Sequence, residues 1–386
     1  MNDMLLEDDL LAWQDAVDRY VRQELAPLCA QSERPVPQAD TRRVIDGLVE
    51  LGVLNLAAES AMGLWDDDRD PLQRRLALHV LQALATYAPG VAYQVHGQAL
   101  AARLDRWAGV VPDGQTLVSL QGWLGLGRDA VVPVIQGRAL STGQQAVLAD
   151  NWGWPTQTTP RRLHALPDWQ AVWVPTWQAD TGWQWWRVPR SAWQVRACPH
   201  SHGLDELLTQ EWWGVGGQGD AAKLATACLQ GEAAQQAWLT LQTLNTLGLQ
   251  AMSQAVVRQA GARAQEQAHL RRQGGQTIVL HVAVQQLLSQ CRSAVHESEQ
   301  VLAALGSAQV AWPDLLTRWR DRARCQVRLS EGASAALQVF GGMGYMRDNA
   351  MEKALRDVNH LRLLGGSPAE LRLCVAHADA ELEVAV

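Results

Sequence analysis

The chain has 386 residues, of which 47% are apolar and 19% are charged, and its net charge is −7. At about 150 residues per domain this length predicts two or three units with a substantial core. The composition excludes a disordered chain, and the 33 basic residues against 40 acidic ones provide no basic field for nucleic acid. The sequence has neither an apolar run of the roughly 18 residues needed to span a membrane nor a signal peptide. Six scattered cysteines without a C-x-x-C pair predict a cytoplasmic protein with reduced thiols.

Residues 1–115 predict an N-terminal helical domain. Apolar residues recur there at helical spacing, and Pro27 and Gly52 stand where the first two helices end. The helical stretches are 10–25, 44–51, 71–87 and an Ala- and Leu-rich one that runs through Leu104.

Residues 116–218 predict a β domain, a small antiparallel barrel or sandwich. Short runs bounded by Gly, Pro, Asp and Asn are typical of strands, namely Asp129–Ile135, Gln170–Pro175 and Trp183–Val188. Eleven of the 18 tryptophans lie from position 152 to 213. They either fill a β core or form an aromatic binding surface. The glycine-rich stretch 214–219 is typical of a linker.

Residues 219–386 predict a C-terminal helical domain. A long helix is expected to begin near Asp220 and to keep an apolar stripe through Val257, and Gly274-Gly275 ends that helical region. Further long helices with short connections are typical of a four-helix bundle. The predicted fold class is therefore mainly α with a central β domain.

The most distinctive segment is 337–345, Leu-Gln-Val-Phe-Gly-Gly-Met-Gly-Tyr. Three glycines in four positions after a helix permit a sharp turn and a close backbone approach to a ligand, and such a turn also suits phosphate. Because the spacing is not G-x-G-x-x-G and no strand precedes it, a Rossmann site is not expected. A plain corner between two helices explains the same residues.

The segments that follow, Met351–Asp357 and Gly365–Pro368, complete a composite pattern. In order and spacing it resembles the acyl-CoA dehydrogenase family, whose closing region reads Q-x-x-G-G-x-G-[YF], then E-K-x-x-R-D, then E-G-T. Weaker similarities lie at 24–27, 48–54, 271–275 and 281–285. The residues in register are Gln338, Gly341, Gly342, Gly344, Tyr345, Glu352, Lys353, Arg356, Asp357, Gly366 and Ser367.

The resemblance implies a helical domain, a β domain and a four-helix bundle, with FAD held between the last two and partly by a neighbouring subunit. Arg271 would meet the pyrophosphate, for which a permanently charged guanidinium is suited, or else be a solvated surface residue. Ser367 stands where the family has a threonine near the flavin, and Ser367 can also cap the last helix. The residues implied along the ADP part are Gln273, His281, Gln338, Gly341 and Gly342. Of these, His281 is equally compatible with a core or surface histidine.

The sequence departs from the family at the catalytic base. The chemistry needs a carboxylate near the substrate Cα in a dry site, and the glutamate of E-G-T is replaced by Gly365. Some family members carry the glutamate on the first long bundle helix, where counting back from Arg271 gives Asn245 and counting from Leu247-Gly248 gives Trp238. Neither is an acid. Glu232 is the nearest upstream carboxylate and a weak candidate, with a solvated or capping role as the alternative.

The β domain departs from the family as well. The family's T-E-P-x-A-G-S-D loop is expected near 121–129 and its W-I-T-N segment near 147–151, where only the glycines, Asp129 and Asn151 match. The ADP-binding half is therefore better matched than the flavin-facing half. His200-Ser201-His202 and the aspartates of 66–70 are expected to be a polar turn and a solvated loop, so no metal site is predicted.

Three functions stay open. The first is a FAD-dependent oxidoreductase that desaturates an acyl thioester, on coenzyme A or a carrier protein, between Cα and Cβ. The second is a non-catalytic, degenerate subunit of a hetero-oligomeric acyl-CoA dehydrogenase that lends Arg271 and Gln338 to a partner's FAD. The third is a related flavin oxidase or monooxygenase. The resemblance implies a homo- or heterotetramer, with an electron-transfer flavoprotein or a homologous subunit as partner.

Overall fold

The computed structural model describes residues 7–30, 36–54, 64–67, 69–120, 127–198, 202–214, 223–305 and 314–384. It is mainly helical, with a β region between an N-terminal and a C-terminal group of helices, which confirms the predicted fold class.

The described residues of the N-terminal part form four α-helices, as the spacing of apolar residues predicts. Asp70 caps α3 by accepting a hydrogen bond from the Leu72 amide, and Gly52 ends α2 with a φ of +84°. The central helix α4 is buried along almost its whole length. The helices are α1 Glu7–Tyr20, α2 Gln38–Glu50, α3 Pro71–Ala85 and α4 Pro89–Trp107.

Where the structure describes the β region, seven strands form two sheets. One sheet has the order β1-β3-β4-β7 and the other β2-β6-β5. All pairs are antiparallel except β1 with β3, which is parallel. The strands are β1 Thr116–Val118, β2 Arg161–Ala165, β3 Ala171–Gln178, β4 Gly182–Pro189, β5 Trp193–Cys198, β6 Leu208–Gly214 and β7 Ala227–Gln230.

The strand predicted at Asp129–Ile135 is wrong, because the segment forms helix α5, Arg128–Ile135. A second helix, α6, covers Thr142–Asn151 and begins with a capping box between Ser141 and Gln144. The run of valines in α5 favours a strand by intrinsic preference, but α5 packs against the helix at 368–384 and buries five of its own eight residues. Burial therefore outweighs local preference in this segment.

The tryptophans of the β region belong to the core. Nine of the eleven are buried. Trp183 lies edge-on to Trp152, with ring centroids 5.3 Å apart, and stacks on Trp238 of the bundle at 4.8 Å. These aromatic pairs join the β region to the C-terminal helices.

The described residues of the C-terminal part form five α-helices. The first of these helices begins later than predicted. Residues 227–230 pair with β4 as β7, so α7 begins at Gly231 rather than near Asp220. Most of the predicted linker, 215–219, lies outside the described residues. Gly274 and Gly275, both with positive φ, turn the short hairpin of β8 (Arg272–Gln273) and β9 (Gln276–Thr277) after α7. The helices are α7 Gly231–Leu270, α8 Val282–Leu305, α9 Leu315–Phe340, α10 Met351–Leu363 and α11 Pro368–Val384.

Candidate functional site

Arg271 and the glycine corner lie together, although 70 residues separate them. Helix α9 ends at Phe340, and Gly341 follows with a φ of +61°. The guanidinium Nη1 of Arg271 donates a hydrogen bond to the Phe340 carbonyl at 3.0 Å, and a Cβ at Gly341 would lie 3.6 Å from that nitrogen. Gln338 and Gly342 are exposed beside this contact. Arg271, Gln338, Gly341 and Gly342 together form an exposed edge. In it the Phe340 carbonyl holds the Arg271 guanidinium in place, and the glycine backbone has no side chains to cover it.

His281 and Gln273 stabilise the hairpin next to this edge. The His281 Nε2 forms a 3.1 Å hydrogen bond with the Gln273 carbonyl, so Nε2 carries the proton. Ile278 ties the same hairpin to α7 by donating its amide to the Arg271 carbonyl at 2.9 Å. His281 and Gln273 therefore stabilise the hairpin at the position that the resemblance implies for the ADP part.

Ser367 caps helix α11, as predicted. Its hydroxyl donates to the Glu370 carboxylate at 2.8 Å, and the Glu370 amide donates back to the hydroxyl at 3.3 Å. In this capping box the proton of the Ser367 hydroxyl is donated to Glu370 of the same chain.

Gly365 and Asn245, the two positions that the resemblance offers for a catalytic base, lie in contact with each other. A Cβ at Gly365 would lie 2.7 Å from Asn245 Nδ2 and 3.1 Å from Leu249 Cδ1, and the φ of Gly365 is +62°. The count back from Arg271 therefore reaches the residue that faces Gly365, whereas Trp238 is packed in the aromatic core. Neither position holds a carboxylate, and Gly365 has no room for a larger side chain.

The charged group next to Gly365 is a buried cation, Arg322. Arg322 of α9 donates to the carbonyls of Gly365 at 3.0 Å and Leu361 at 3.2 Å, and also to that of Leu364. It thereby satisfies the last carbonyls of α10, where a positive charge is favoured. Burial lowers the pKa of Arg322 to about 10, which still leaves it charged at neutral pH.

A small cavity lies between α4, β1, β2 and the Asn245–Gly365 contact. Its volume is about 40 Å³, which is room for about three water molecules. No carboxylate lines this cavity among the described residues. The lining residues are Tyr93, Gln94, His96, Gly97, Leu100, Leu117, Val118, Leu120, Leu163, His164, Asn245, Leu364 and Gly365.

Two histidines beside the cavity form a hydrogen-bonded chain. The Gly203 amide donates to His360 Nδ1 at 3.2 Å, so the proton of a neutral His360 is on Nε2. That Nε2 lies 3.2 Å from His164 Nε2, and His164 Nδ1 lies 3.0 Å from the Thr209 hydroxyl. His360 therefore donates to His164, which donates to Thr209. Burial lowers the pKa of His164 to about 3 and that of His360 to about 4, so both are neutral.

The residues of the E-K-x-x-R-D motif join α10 to the loop before β6. The Lys353 ammonium, on a side chain that is 14% exposed, lies 2.9 Å from Glu206 and 2.6 Å from Asp357. Arg356 pairs with Glu352 at 2.6 Å, as the spacing of four residues predicts, and with Asp205 at 2.8 Å. The motif thus holds the β region against the bundle.

The other clusters have structural partners. Asp66 pairs with Arg106, Asp67 accepts a hydrogen bond from the Arg69 amide, and Asp70 caps α3. Asp68, His200 and Ser201 lie outside the described residues. In the described part of the chain no group of three His, Cys, Asp or Glu side chains is placed to hold a metal ion. No helix there is long and apolar enough to cross a membrane.

Glu232 does not reach the cavity region. It is exposed in the first turn of α7. Thirteen residues separate it from Asn245, which is about 20 Å along a helix.

The chain fits one half of the FAD that the resemblance implies. Arg271 with Gly341 and Gly342 suits an ADP moiety, because it combines charged donors with a backbone that a ligand can approach closely. At the other end, no carboxylate lines the cavity beside Gly365 among the described residues. The segment 147–151, where the resemblance places the W-I-T-N residues, is the end of helix α6. Residues 121–126 of the expected T-E-P loop lie outside the described residues.

Comparison with known proteins agrees with this architecture. Residues 239–378 match the acyl-CoA dehydrogenase C-terminal domain family. The chain resembles butyryl-CoA dehydrogenase from Megasphaera elsdenii, with a TM-score of 0.69 and 16% identity over 98% of this chain and 100% of that one. For glutaryl-CoA dehydrogenase from Mycobacterium smegmatis the values are 0.70 and 16% over 99% and 96%. For a chain of the ChsE4-ChsE5 complex from Mycobacterium tuberculosis they are 0.66 and 17% over 98% and 99%. No curated protein sequence matches the chain.

Proposed function

Because the chain has the acyl-CoA dehydrogenase fold and its residues 239–378 match that family's C-terminal domain, we propose that it is a non-catalytic subunit of an acyl-CoA dehydrogenase-type oligomer. Its retained part is the edge formed by Arg271, Gln338, Gly341 and Gly342, which it lends to the FAD of an active homologous chain. The observation that carries this proposal is the contact between Gly365 and Asn245, where two alternative positions for the base meet without a carboxylate.

The groups around this contact are poor replacements for a glutamate. A general base needs a pKa near the working pH and a free lone pair. Burial lowers the pKa of His164 to about 3, and its Nε2 already accepts the proton of His360. His96 Nδ1 accepts a hydrogen bond from Trp65 Nε1 at 3.1 Å. Neither imidazole is therefore available to remove an α-proton.

The exposed edge suits a cofactor that is held mainly by another subunit. Arg271 is half-buried, and one hydrogen bond to Phe340 fixes its guanidinium while other donors are left for phosphate oxygens. When bound, FAD would supply the electron acceptor of the partner's reaction. This chain would contribute charge and position at the ADP end only.

A second candidate is a FAD-dependent oxidoreductase that forms the α,β double bond of an acyl thioester on coenzyme A or a carrier protein. It is favoured by the juxtaposition of Arg271 and Gly341, which a chain without a flavin role has no need to keep. A flavin oxidase or monooxygenase of the same fold would use the same edge, and an electron-transfer flavoprotein would be the redox partner of the dehydrogenase.

The experiment is the flavin content of the chain, purified alone and together with a homologous chain from the same cell. We expect the chain alone to be colourless and the mixed oligomer to be yellow and to bleach with an acyl thioester under anaerobic conditions. A yellow chain that bleaches alone contradicts the proposal and supports the second candidate.

Two neighbouring arginines provide a matched pair of variants for the ADP edge. Arg271→Ala in the mixed oligomer should weaken FAD retention by about 1.5–3 kcal/mol, the value of one charge-assisted hydrogen bond. Arg272→Ala removes an exposed guanidinium one residue away, whose Nη2 donates to the Gly275 carbonyl, and it should leave retention unchanged. Equal effects of the two changes, measured by flavin release during dialysis, would argue against a specific phosphate contact.

A further inference from the structure

A cleft between α2, α4 and the loop before β1 has a volume of about 260 Å³. This is close to the lower end of small-molecule sites, which begin at about 300 Å³. Ile45, Val49 and Leu54 give the cleft an apolar wall, and the carboxylates of Asp46 and Glu50 line it as well. No described residue lines both this cleft and the cavity beside the buried histidines of the β region.

Gln98 of α4 gives the cleft a buried acceptor without a donor. Gln98 is 2% exposed, and its Nε2 donates to the carbonyl of Gly114, which also lines the cleft. This bond fixes the orientation of the amide, because the reverse orientation would place two acceptor oxygens against each other. Among the described residues, Gln98 Oε1 has no hydrogen-bond partner. Leaving a buried acceptor unpaired is costly, so an N–H donor from a ligand would be favourable.

The basic side chains around the cleft are already paired with acids. Arg42 donates two hydrogen bonds to the Asp168 carboxylate, at 2.6 and 3.0 Å. Arg187 forms ion pairs with both Asp105, at 3.0 Å, and Asp113, at 2.5 Å. One guanidinium therefore serves two carboxylates, and one negative charge at this end of the cleft is left without a cation of its own.

Asp46 and Glu50 add two further negative charges on one face of α2. Their spacing of four residues places two like charges side by side, which destabilises a helix. Both side chains are exposed. The nearest basic residue of this helix, Arg43, pairs instead with Glu24 at 2.8 Å and Asp40 at 3.5 Å. A cation bound in the cleft would therefore relieve the repulsion between the two carboxylates.

An extended organic cation suits these groups better than a metal ion. A metal ion needs several ligands at about 2.0–2.6 Å from one point. In the part of the chain that the structure describes, no three His, Cys, Asp or Glu side chains are placed in that way. A short alkyl chain with a cationic N–H donor at each end can instead reach separate acceptors, while its methylene groups pack on Ile45, Val49 and Leu54.

We propose that this cleft binds a small aliphatic diamine. One ammonium group donates to Gln98 Oε1, and the carboxylates of Asp46 and Glu50 hold the other. The inference needs neither FAD nor a partner chain, so it can fail or hold independently of the proposed function.

The test compares 1,4-diaminobutane, 1-butylamine and 1-butanol, which share an apolar chain and carry two, one and no ammonium groups. Each is titrated into the full chain by calorimetry at low ionic strength, because salt screens exposed charges. We expect the diamine to bind about tenfold more tightly than the monoamine, as for one additional charge-assisted hydrogen bond, and the alcohol not to bind. A monoamine that binds as tightly as the diamine would overturn the proposal.

The charged end of the site is tested by a matched pair of double variants. Asp46→Asn with Glu50→Gln keeps the shape of two exposed side chains and removes their charge, and it should weaken the diamine about tenfold, since each exposed ion pair contributes up to about fivefold. Asp150→Asn with Glu266→Gln removes the same charges at exposed positions of α6 and α7, and it should change the affinity by less than about twofold. Equal losses in the two double variants would overturn the proposal.

The buried end of the site is tested by Gln98→Met, which removes the acceptor and should weaken the diamine by about tenfold. A crystal structure of the unaltered chain with 1,4-diaminobutane tests the same end if Gln98→Met does not fold. It should show an ammonium nitrogen within hydrogen-bond distance of Gln98 Oε1. A diamine that lies elsewhere, or an unchanged affinity in folded Gln98→Met, would contradict the assigned acceptor and overturn the proposal.

Discussion

Replacing Gly365 with alanine tests the contact on which the proposed function depends. Its φ of +62° lies in the left-handed region, which costs a residue with a Cβ about 1–2 kcal/mol. The new methyl group would also lie 2.7 Å from Asn245 Nδ2 and 3.1 Å from Leu249 Cδ1. Overpacking of this kind costs about 1–3 kcal/mol. We therefore expect Gly365→Ala to lower the free energy of unfolding by about 2–5 kcal/mol.

Urea denaturation of paired variants separates the two contributions. Gly182 has a similar φ of +67° and no atom within 4 Å of its Cβ position, so Gly182→Ala should cost only the backbone part, about 1–2 kcal/mol. Adding Asn245→Ala to Gly365→Ala should recover part of the difference. The reasoning is refuted if Gly365→Ala and Gly182→Ala lose the same stability. By the same geometry, Gly365→Glu cannot restore a base without displacing Asn245.

Three further predictions concern ionisable side chains. Lys353→Met leaves two buried carboxylates without their cation and should cost about 3–5 kcal/mol in urea denaturation, with part of the loss recovered at acidic pH. His96, His164 and His360, whose pKa values burial lowers to about 3, 3 and 4, stay neutral on folding, so the free energy of unfolding should rise with pH from about 4 to 6.5. Burial raises the pKa values of Asp105 and Asp357 to about 6, so these two carboxyls lower stability as the pH rises from about 4 to 6. They are fewer than the histidines and their pKa values are shifted less, so the histidines decide the direction. His360→Gln should make the rise of stability with pH less steep. Glu232→Gln should change neither stability nor any thioester-dependent bleaching, because its side chain is exposed; a lost bleaching reaction would make it a base after all.

Local patterns predicted the parts of the molecule that local forces decide. The helix stop at Gly52, the cap at Ser367 and the pair of Glu352 with Arg356 each involve residues within four positions of one another. Their contacts are available as soon as a helix forms, so sequence spacing is sufficient. The prediction failed at Asp129–Ile135, where packing against a distant helix reverses the preference of valine for strands.

The sequence alone showed a glycine at position 365, where the resemblance implies a glutamate, and it showed Arg271 and the glycines of the corner at the positions that the resemblance implies for the ADP part. It took the folded chain to bring Asn245 against Gly365 and to place His360 where it donates to His164. The His164–His360 pair is 196 residues apart in sequence. Hydrogen bonds and steric contacts act over about 3 Å whatever the separation along the chain. No periodic pattern therefore encodes them, and they exist only once the helices and the sheets have packed together.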